Sequence, residues 1–263
     1  MVIQKVYAVY FSPTGATRSV VETMLAEFDI PKEVIDITPY DSRNNTHSFR
    51  EDELVIVGVP VYSTRVPITA EERLKLLRGN NTPVVLVATY GGLHYVNALY
   101  EFQHIVSQNS FITIAAAAVV AEHNIVNLFP SSTLHIASGR PDAQDRLAIS
   151  AFARQAYEKA LQTSNAQNME IRGKMPSTPR NKYPVQPYAD KKCRQCGLCA
   201  RQCPVQAIGD PRRQAGKGCL HCIRCIKYCP ENARTYSKLA KIVVKQVMTV
   251  ASRSMEGQSE YFL

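Results

Sequence analysis

The chain has 263 residues, of which 45% are hydrophobic and 20% charged, and its formal net charge is +9 at pH 7. This composition is typical of a folded globular protein and excludes a disordered or collagen-like chain. The longest apolar run, Ile112–Ala121, is about half the length that a membrane-spanning helix needs. The N-terminal residues lack the apolar core and cleavage site of a signal peptide. We therefore expect a cytoplasmic protein, in a compartment where disulfides are rare.

Composition divides the chain into two parts. All 8 cysteines lie between Cys193 and Cys229. Residues 1–170 hold 13 Lys+Arg and 17 Asp+Glu, a net charge of −4, whereas residues 171–263 hold 18 and 5, a net charge of +13. The polar, proline-containing stretch Gln162–Tyr188 lies near this boundary and is typical of a linker. Length and composition together predict two domains.

The first part alternates short apolar segments with helix-like stretches. The predicted strands, rich in Val and Ile, are Lys5–Phe11, Glu33–Ile37, Leu54–Val59, Val84–Thr89 and Phe111–Val120. The predicted helices are Thr17–Phe28, Ala70–Leu77, Leu93–Val106 and Asp142–Leu161. Strands that alternate with helices form a parallel sheet covered on both faces. Such sheets bind ligands beyond the carboxyl ends of their strands, so the loops that follow the strands are the expected site.

Three of these loops suit a phosphorylated aromatic ligand. Residues Ser12–Thr17 precede a helix, whose free N–H groups and dipole favour an anion, although a plain capped helix start is the alternative. The loop has neither a GxxxxGK nor a GxGxxG pattern. The loops at Tyr62–Thr64 and Thr89–Gly92 each place a tyrosine beside small residues. Two such tyrosines can stack on a flat ring, and glycines let main-chain amides approach it; half-buried rim tyrosines are the alternative.

With these loops, residues 1–165 resemble the flavodoxin family. The sequence S-P-T-G-A-T at Ser12–Thr17 matches the family's (S/T)-x-T-G-x-T phosphate loop, and V-P-V-Y-S-T-R-V-P and T-Y-G-G resemble its other two flavin loops. The resemblance implies a doubly wound, five-stranded parallel α/β sheet that binds FMN, with the isoalloxazine between Tyr62 and Tyr90. Arg18 departs from the acidic or neutral residue that is common there. The implied FMN-binding residues are Ser12, Thr14, Gly15, Ala16, Thr17, Tyr62, Ser63, Thr64, Thr89, Tyr90, Gly91 and Gly92.

The cysteines form two copies of one pattern. A C-x2-C-x2-C-x3-C-P run starts at Cys193, and the same run starts at Cys219. This run is the bacterial signature for [4Fe–4S] clusters, in which the fourth cysteine ligates the other cluster. Zinc, which uses two C-x2-C pairs, and disulfides are weaker alternatives. The predicted ligands are Cys193, Cys196, Cys199 and Cys229 for cluster 1, and Cys203, Cys219, Cys222 and Cys225 for cluster 2.

The segment Tyr188–Arg234 resembles two-cluster bacterial ferredoxins, and the whole chain resembles the flavodoxin–ferredoxin fusions of anaerobes. The resemblance implies a flavodoxin-like FMN domain at 1–165, a linker at 166–187, a small α+β ferredoxin domain at 188–236, and a C-terminal helix and tail at 237–263. Within the last region, Ser237–Ala251 has an apolar stripe and a lysine face. We expect this helix to pack on a domain, with membrane-surface binding as the alternative.

The predicted function is that of an iron–sulfur flavoprotein that passes electrons between two [4Fe–4S] clusters, FMN and an external redox partner. Two alternatives stay open: an FMN-dependent reductase acting near Tyr62, Tyr90 and His94, and an iron–sulfur redox sensor. No catalytic residue is predicted, and His94, His123 and His221 are expected to be ordinary histidines. The basic C-terminal part favours an acidic redox protein or enzyme as partner, with a homodimer as a further option. Neither nucleic-acid binding nor a membrane span is expected.

Overall fold

The structure is a computed structural model that describes residues 2–92, 94–129, 134–162, 167–177, 180, 184–211, 213–253 and 257–263. Within these ranges the strands are β1 (Lys5–Tyr10), β2 (Lys32–Asp36), β3 (His47–Ser48), β4 (Glu53–Pro60), β5 (Leu77–Arg78), β6 (Thr82–Tyr90), β7 (Phe111–Val120), β8 (Tyr188–Ala189), β9 (Arg234–Thr235) and β10 (Glu260–Phe262). The α-helices are α1 (Ala16–Leu25), α2 (Ile68–Leu74), α3 (Val96–Ser107), α4 (Ala143–Gln162), α5 (Leu198–Arg201), α6 (Arg224–Lys227) and α7 (Lys238–Ser252). Short 3₁₀ helices cover Tyr40–Asn44 and Asn124–Leu128.

The central sheet has the strand order β10-β7-β6-β4-β1-β2. All of its strands except β10 are parallel. Counted among the parallel strands alone, the order is 2-1-3-4-5, which is the flavodoxin-like doubly wound order. The predicted flavodoxin-like α/β fold is therefore confirmed, together with each predicted strand and helix of this part, except that Leu93, the first residue of one predicted helix, lies outside the described residues.

The sheet is buried on both faces because its strands are apolar without interruption. On one face Val57 belongs to the same buried cluster as Leu99 of α3 and Leu74 of α2. On the other face Ile56 belongs to a cluster with Val21 of α1. Successive side chains of a strand point to opposite faces, so a run such as Glu53–Pro60 supplies both cores at once.

The sheet differs from the prediction at one edge. The C-terminal residues Glu260–Phe262 form β10, which pairs antiparallel with β7 through Ala116–Ala118. Tyr261 packs on Phe152 of α4, with ring centroids 5.1 Å apart. The end of the chain is therefore part of the flavodoxin-like core, although it follows the cysteines in sequence.

The cysteine-containing part has little regular structure. Strands β8 and β9 pair antiparallel, and α5 and α6 are single turns that contain Cys199 and Cys225. The two cysteine arrays repeat the same backbone, with left-handed φ angles at Gln195 and Gly197 in the first array and at His221 and Ile223 in the second. An isoleucine at φ 66° is strained, because its branched Cβ crowds the main chain.

Helix α7 forms where the amphipathic pattern predicted a helix. Ala240 and Val244 contact a small buried cluster around Leu128 and Ile226. The rest of its apolar stripe is exposed and consists of Leu239, Ile242, Val243, Val247 and Val250. The described part of the chain holds no helix that is long and apolar enough to cross a bilayer.

Candidate functional site

The loop between β1 and α1 borders a cleft at the carboxyl edge of the sheet. Thr14, Gly15 and Ala16 line this cleft, whose internal space is about 370 Å³. That size lies within the range of about 300–1,000 Å³ that is typical of small-molecule sites. Gly15 has a φ of 91° and precedes the first turn of α1. The free N–H groups of that turn make this end of the cleft favourable for an anion.

Cationic side chains from distant segments complete the cleft. Arg140 lies just before α4, Arg146 lies within α4, and Lys227 comes from the cysteine-containing part. Arg146 Nη1 lies 3.3 Å from the hydroxyls of Ser19 and Thr23, and Arg140 is paired with Asp145. Glu122 is the acidic residue of the lining. The charge and size of the cleft fit the phosphate end of FMN.

Two of the predicted phosphate-loop residues are held in internal hydrogen bonds. Thr17 is 1% exposed, and its hydroxyl lies 2.6 Å from that of Thr89 in β6. The Ser12 hydroxyl accepts from the Arg18 N–H at 3.0 Å, and the Ser12 N–H donates to the Thr38 hydroxyl at 2.7 Å. These hydroxyls therefore fix the loop to the sheet, while Thr14, Gly15 and Ala16 face the cleft.

The second predicted loop is a tight turn. The N–H and carbonyl groups of Tyr62 and Arg65 bond to each other at 2.9 and 3.0 Å, and Ser63 and Thr64 between them both have positive φ angles. Ser63 and Thr64 are exposed. The turn is anchored to α3 because the buried Glu101 carboxylate pairs with Arg65 and also accepts from the Val66 N–H at 2.9 Å.

Tyr62 connects this turn to the cysteines. Its hydroxyl is buried, and burial raises the Tyr62 pKa well above its ordinary value. The Cys222 thiol adds to this rise, whereas Asn124 and Arg224 oppose it, so these three residues surround the phenol. The tyrosine thus stays protonated at neutral pH.

The third predicted loop lies against the core and the C-terminal tail. Tyr90 is 5% exposed, its ring lies 5.0 Å from that of Tyr95, and its hydroxyl donates to the Gln258 carbonyl at 2.7 Å. Gly92 touches Gly257 of the tail. Tyr90 is therefore buried in this structure, and its implied stacking on the isoalloxazine stays a prediction.

His123 lies directly against Gly91. A Cβ atom on Gly91 would fall 2.2 Å from His123 Cδ2, so only glycine fits here. His123 Nδ1 accepts from the Ile125 N–H at 3.2 Å and caps the 3₁₀ helix that follows. Burial lowers the His123 pKa to about 4, which keeps the ring neutral. His94 is exposed, and His221 Nδ1 lies 3.0 Å from the Tyr236 hydroxyl.

The structure gathers the predicted cluster 1 cysteines around one cavity. Cys193, Cys196, Cys199 and Cys229 all line it, together with Arg234. Among the described residues, no three His, Cys, Asp or Glu side chains are grouped as ligands of a single metal ion. A [4Fe–4S] cubane takes one thiolate on each iron, so it requires four sulfurs around a shared space. The donor set at this cavity fits that requirement.

The predicted cluster 2 cysteines also lie together. Burial raises the pKa of Cys222, and the thiols of Cys225, Cys219 and Cys203 are close enough to add to the rise. Burial also raises the pKa of Cys225 to about 12. Cys203 thus joins the second array although it belongs to the first in sequence. Buried thiols of this kind are protonated unless a metal displaces the proton.

Main-chain N–H groups point at sulfur in both arrays. Gln195 N and His221 N lie 3.4 Å from Cys193 Sγ and Cys219 Sγ. Ala207 N and Ala233 N lie 3.3 and 3.2 Å from the sulfurs of the fourth cysteines, Cys203 and Cys229. Such hydrogen bonds stabilise thiolate sulfur and raise the reduction potential of a cluster that the thiolates bind.

The second array contributes one side chain, Lys227, to the wall of the cleft. Asn124 lines the cleft and its side-chain amide donates to the Cys222 carbonyl at 3.4 Å. Arg224 donates to the Pro13 carbonyl at 2.6 Å, so α6 lies directly on the phosphate loop. The sequence did not predict this contact. The composition of the two parts that flank Gln162–Tyr188 does not indicate which surface of one part packs on the other.

No protein-family model and no curated protein matches the chain. Solved structures resemble part of it. The flavodoxin of Streptococcus pneumoniae TIGR4 is 14% identical, with a TM-score of 0.41, over 59% of this chain and 99% of that one. An NADH:FMN oxidoreductase in its apo form is 16% identical, with a TM-score of 0.40, over 62% and 91%. Rubredoxin oxygen:oxidoreductase of Desulfovibrio gigas is 13% identical, with a TM-score of 0.42, over 63% and 38%.

Proposed function

We propose that the protein is an iron–sulfur flavoprotein that transfers electrons between two [4Fe–4S] clusters, FMN and an external redox partner. The observation that carries this proposal is the shared wall: α6, which contains Cys225, contributes Lys227 to the cleft beside the phosphate loop. Clusters exchange single electrons and FMN exchanges one or two, so the two cofactors together couple one-electron and two-electron partners.

We further propose the domain division given above, with FMN on 1–165 and the clusters on 188–236. The FMN phosphate would bind at Thr14–Ala16 with Arg140, Arg146 and Lys227 as counter-charges. Tyr62 would lie between the flavin and Cys222, since its phenol adjoins both the cleft residue Asn124 and that cysteine.

The two clusters would occupy different places on the electron route. Cys222 of cluster 2 is 8% exposed, and its carbonyl accepts a hydrogen bond from Asn124, which lines the cleft, whereas Cys196 of cluster 1 is exposed. The order is therefore external partner, cluster 1, cluster 2 and FMN, in either direction. Lys191, Lys192 and Arg194 are exposed beside Cys196, which favours an acidic partner at this end.

Cofactor content tests the assignment of the cysteines. Protein purified without oxygen should contain about 8 iron atoms per chain and one FMN. The Cys203→Ala/Cys219→Ala variant removes two ligands of cluster 2 and should keep about half of the iron, whereas Cys203→Ala/Cys193→Ala removes one ligand from each cluster and should lose nearly all of it. The reverse result would assign each array to its own cluster, and zinc in place of iron would refute the proposal.

Electron exchange tests the function. Protein stripped of FMN and reduced at its clusters should lose the reduced-cluster signal in electron paramagnetic resonance when oxidised FMN is added, while the flavin absorbance near 450 nm bleaches. Turnover should require a separate redox enzyme. Clusters that stay reduced beside bound FMN would contradict the proposed route, and turnover of a small substrate by the protein alone would favour the reductase alternative.

A further inference from the structure

A buried arginine lies where the two cysteine sets meet. Arg234 is 2% exposed and lines the cavity of Cys193, Cys196, Cys199 and Cys229. Its guanidinium also lies close enough to Cys219 and Cys225 of the other set to interact with their thiols, by charge in both cases and by a side-chain hydrogen bond in the case of Cys225. A single cation thus adjoins both predicted clusters.

Three main-chain carbonyls hold the guanidinium in place. Arg234 Nη1 donates to Pro211 O at 3.2 Å and to Arg213 O at 2.8 Å, and Nη2 donates to Pro187 O at 2.9 Å. Its Nε atom is buried without a hydrogen-bond acceptor in the part of the chain that the structure describes. A buried charge is costly unless it is compensated, and neutral carbonyls compensate it only in part.

The internal repeat shows that the fold does not require an arginine here. Arg234 follows Cys229-Pro230 as Ile208 follows Cys203-Pro204, at the same spacing. Ile208 is also buried, at 5% exposure. One array thus places an aliphatic side chain at the position where the other places a cation, so packing alone does not explain the charge.

We propose that the buried positive charge of Arg234 raises the reduction potentials of both clusters and weakens the electrostatic repulsion between them. This inference rests on the proposed function. An oxidised four-iron cluster with four thiolates carries about −2, and reduction adds one electron and one negative charge. A cation next to both clusters in a low-dielectric interior favours that added charge. The electron comes from the external carrier, which is oxidised by one electron for each cluster reduced.

The test is a redox titration of the intact holoprotein followed by electron paramagnetic resonance. Arg234→Gln and Arg234→Met remove the charge, and Arg234→Lys keeps it. We expect the neutral variants to shift each cluster's equilibrium with a reference dye at least tenfold towards oxidation, which is about 59 mV for one electron. The lysine variant should recover most of the shift. Equal potentials in the wild type and a neutral variant that retains its iron would overturn the proposal.

A second measurement needs no variant at Arg234. In the wild type the two clusters should reduce over nearly the same potential range, so that spin-coupled signals of the doubly reduced protein appear early in the titration. Widely separated reduction steps would contradict shared stabilisation by one cation. Ile208→Met serves as the matched control for packing and should leave the potentials unchanged. Protein without iron would instead refute the proposed function itself.

Discussion

Lys227 Nζ donates a hydrogen bond of 2.8 Å to the main-chain carbonyl of Thr14, and so a lysine within the second cysteine array contacts the predicted phosphate loop of the flavodoxin-like part. Lys227 lines the cleft beside Gly15, while Tyr228, the next residue, has its hydroxyl 3.3 Å from the position of a Cβ on Gly15. The predicted phosphate loop and the cysteine-containing part are therefore in direct contact through these residues.

We predict that Lys227→Met weakens FMN binding about tenfold, because an ionic hydrogen bond contributes about 1.5–3 kcal/mol and 1.4 kcal/mol is tenfold. Riboflavin, which lacks the phosphate, should bind both proteins alike. The measurement is quenching of flavin fluorescence by FMN-free protein. Lys217→Met, at an exposed position of the same part, is the control. An equal loss for FMN and riboflavin would show that Lys227 does not act on the phosphate.

The contact between Gly91 and His123 gives a second prediction. Gly91→Ala places a methyl group within 2.8 Å of three side-chain atoms of His123, which are Cδ2, Cγ and Cβ. Overpacking of this kind destabilises a fold by about 1–3 kcal/mol. His123→Ala alone loses the 3₁₀ cap, which costs about 1 kcal/mol.

The double variant Gly91→Ala/His123→Ala should lose less free energy of unfolding than the two single variants lose together. The reason is that the methyl group then occupies space that the imidazole has left. Thermal unfolding of the holoprotein measures all four members of this cycle. Strict additivity would mean that the loop moves away from His123 instead of clashing with it.

The sequence predicted the sheet well because its strands are uninterrupted Val- and Ile-rich runs, and such runs, alternating with helices, leave few topologies open. The assignment of the cysteines to two clusters stays a prediction, although the first predicted set lines one cavity. The sequence missed the edge strand β10, whose three residues are too few to show a period. It also did not indicate that the Tyr90 hydroxyl donates to the distant Gln258 carbonyl, because that contact depends on where the C-terminal tail packs.

The remaining cleft residues were missed for a related reason. Arg140, Arg146 and Lys227 reach the cleft through tertiary packing, and each resembles an ordinary solvent-facing charge when read in sequence. Arg234 was missed as well, although one signal was present. The comparison of the two arrays aligns it with the apolar Ile208, which is unusual for a charged residue.

The titration of His123 gives a third prediction. Its pKa is lowered to about 4, whereas an unfolded histidine titrates near 6.5. As the pH falls, the unfolded chain therefore takes up this proton before the folded protein does. The contribution of His123 to the free energy of unfolding is complete above about pH 6.5 and declines as the pH falls towards 4.

Proton magnetic resonance of the imidazole C–H signals should show one histidine that stays neutral down to about pH 4, absent from the His123→Asn variant. Asparagine keeps an acceptor for the Ile125 N–H, so the variant should fold and should lose less thermal stability between pH 6.5 and 5 than the wild type. A His123 signal that titrates near 6.5 would show that the ring is solvated.

The C-terminal strand gives the last prediction. The Val120 N–H donates to the Ser259 hydroxyl at 3.1 Å, and Tyr261 covers Phe152, so removal of residues 257–263 uncovers both the edge of β7 and an aromatic core residue. Loss of this packing should lower the unfolding temperature by about 10 °C, since 1 kcal/mol corresponds to about 2–4 °C in a chain of this size.

The uncovered edge should also promote self-association, which light scattering would detect, because unpaired strand edges pair with other chains. Removal of Leu263 alone, a residue that is 51% exposed, is the matched control and should change neither property. If the truncated protein unfolds at the wild-type temperature and stays monomeric, β10 contributes nothing to the sheet, and the hydrogen bond from Tyr90 to Gln258 then has no part in holding the third loop against the core.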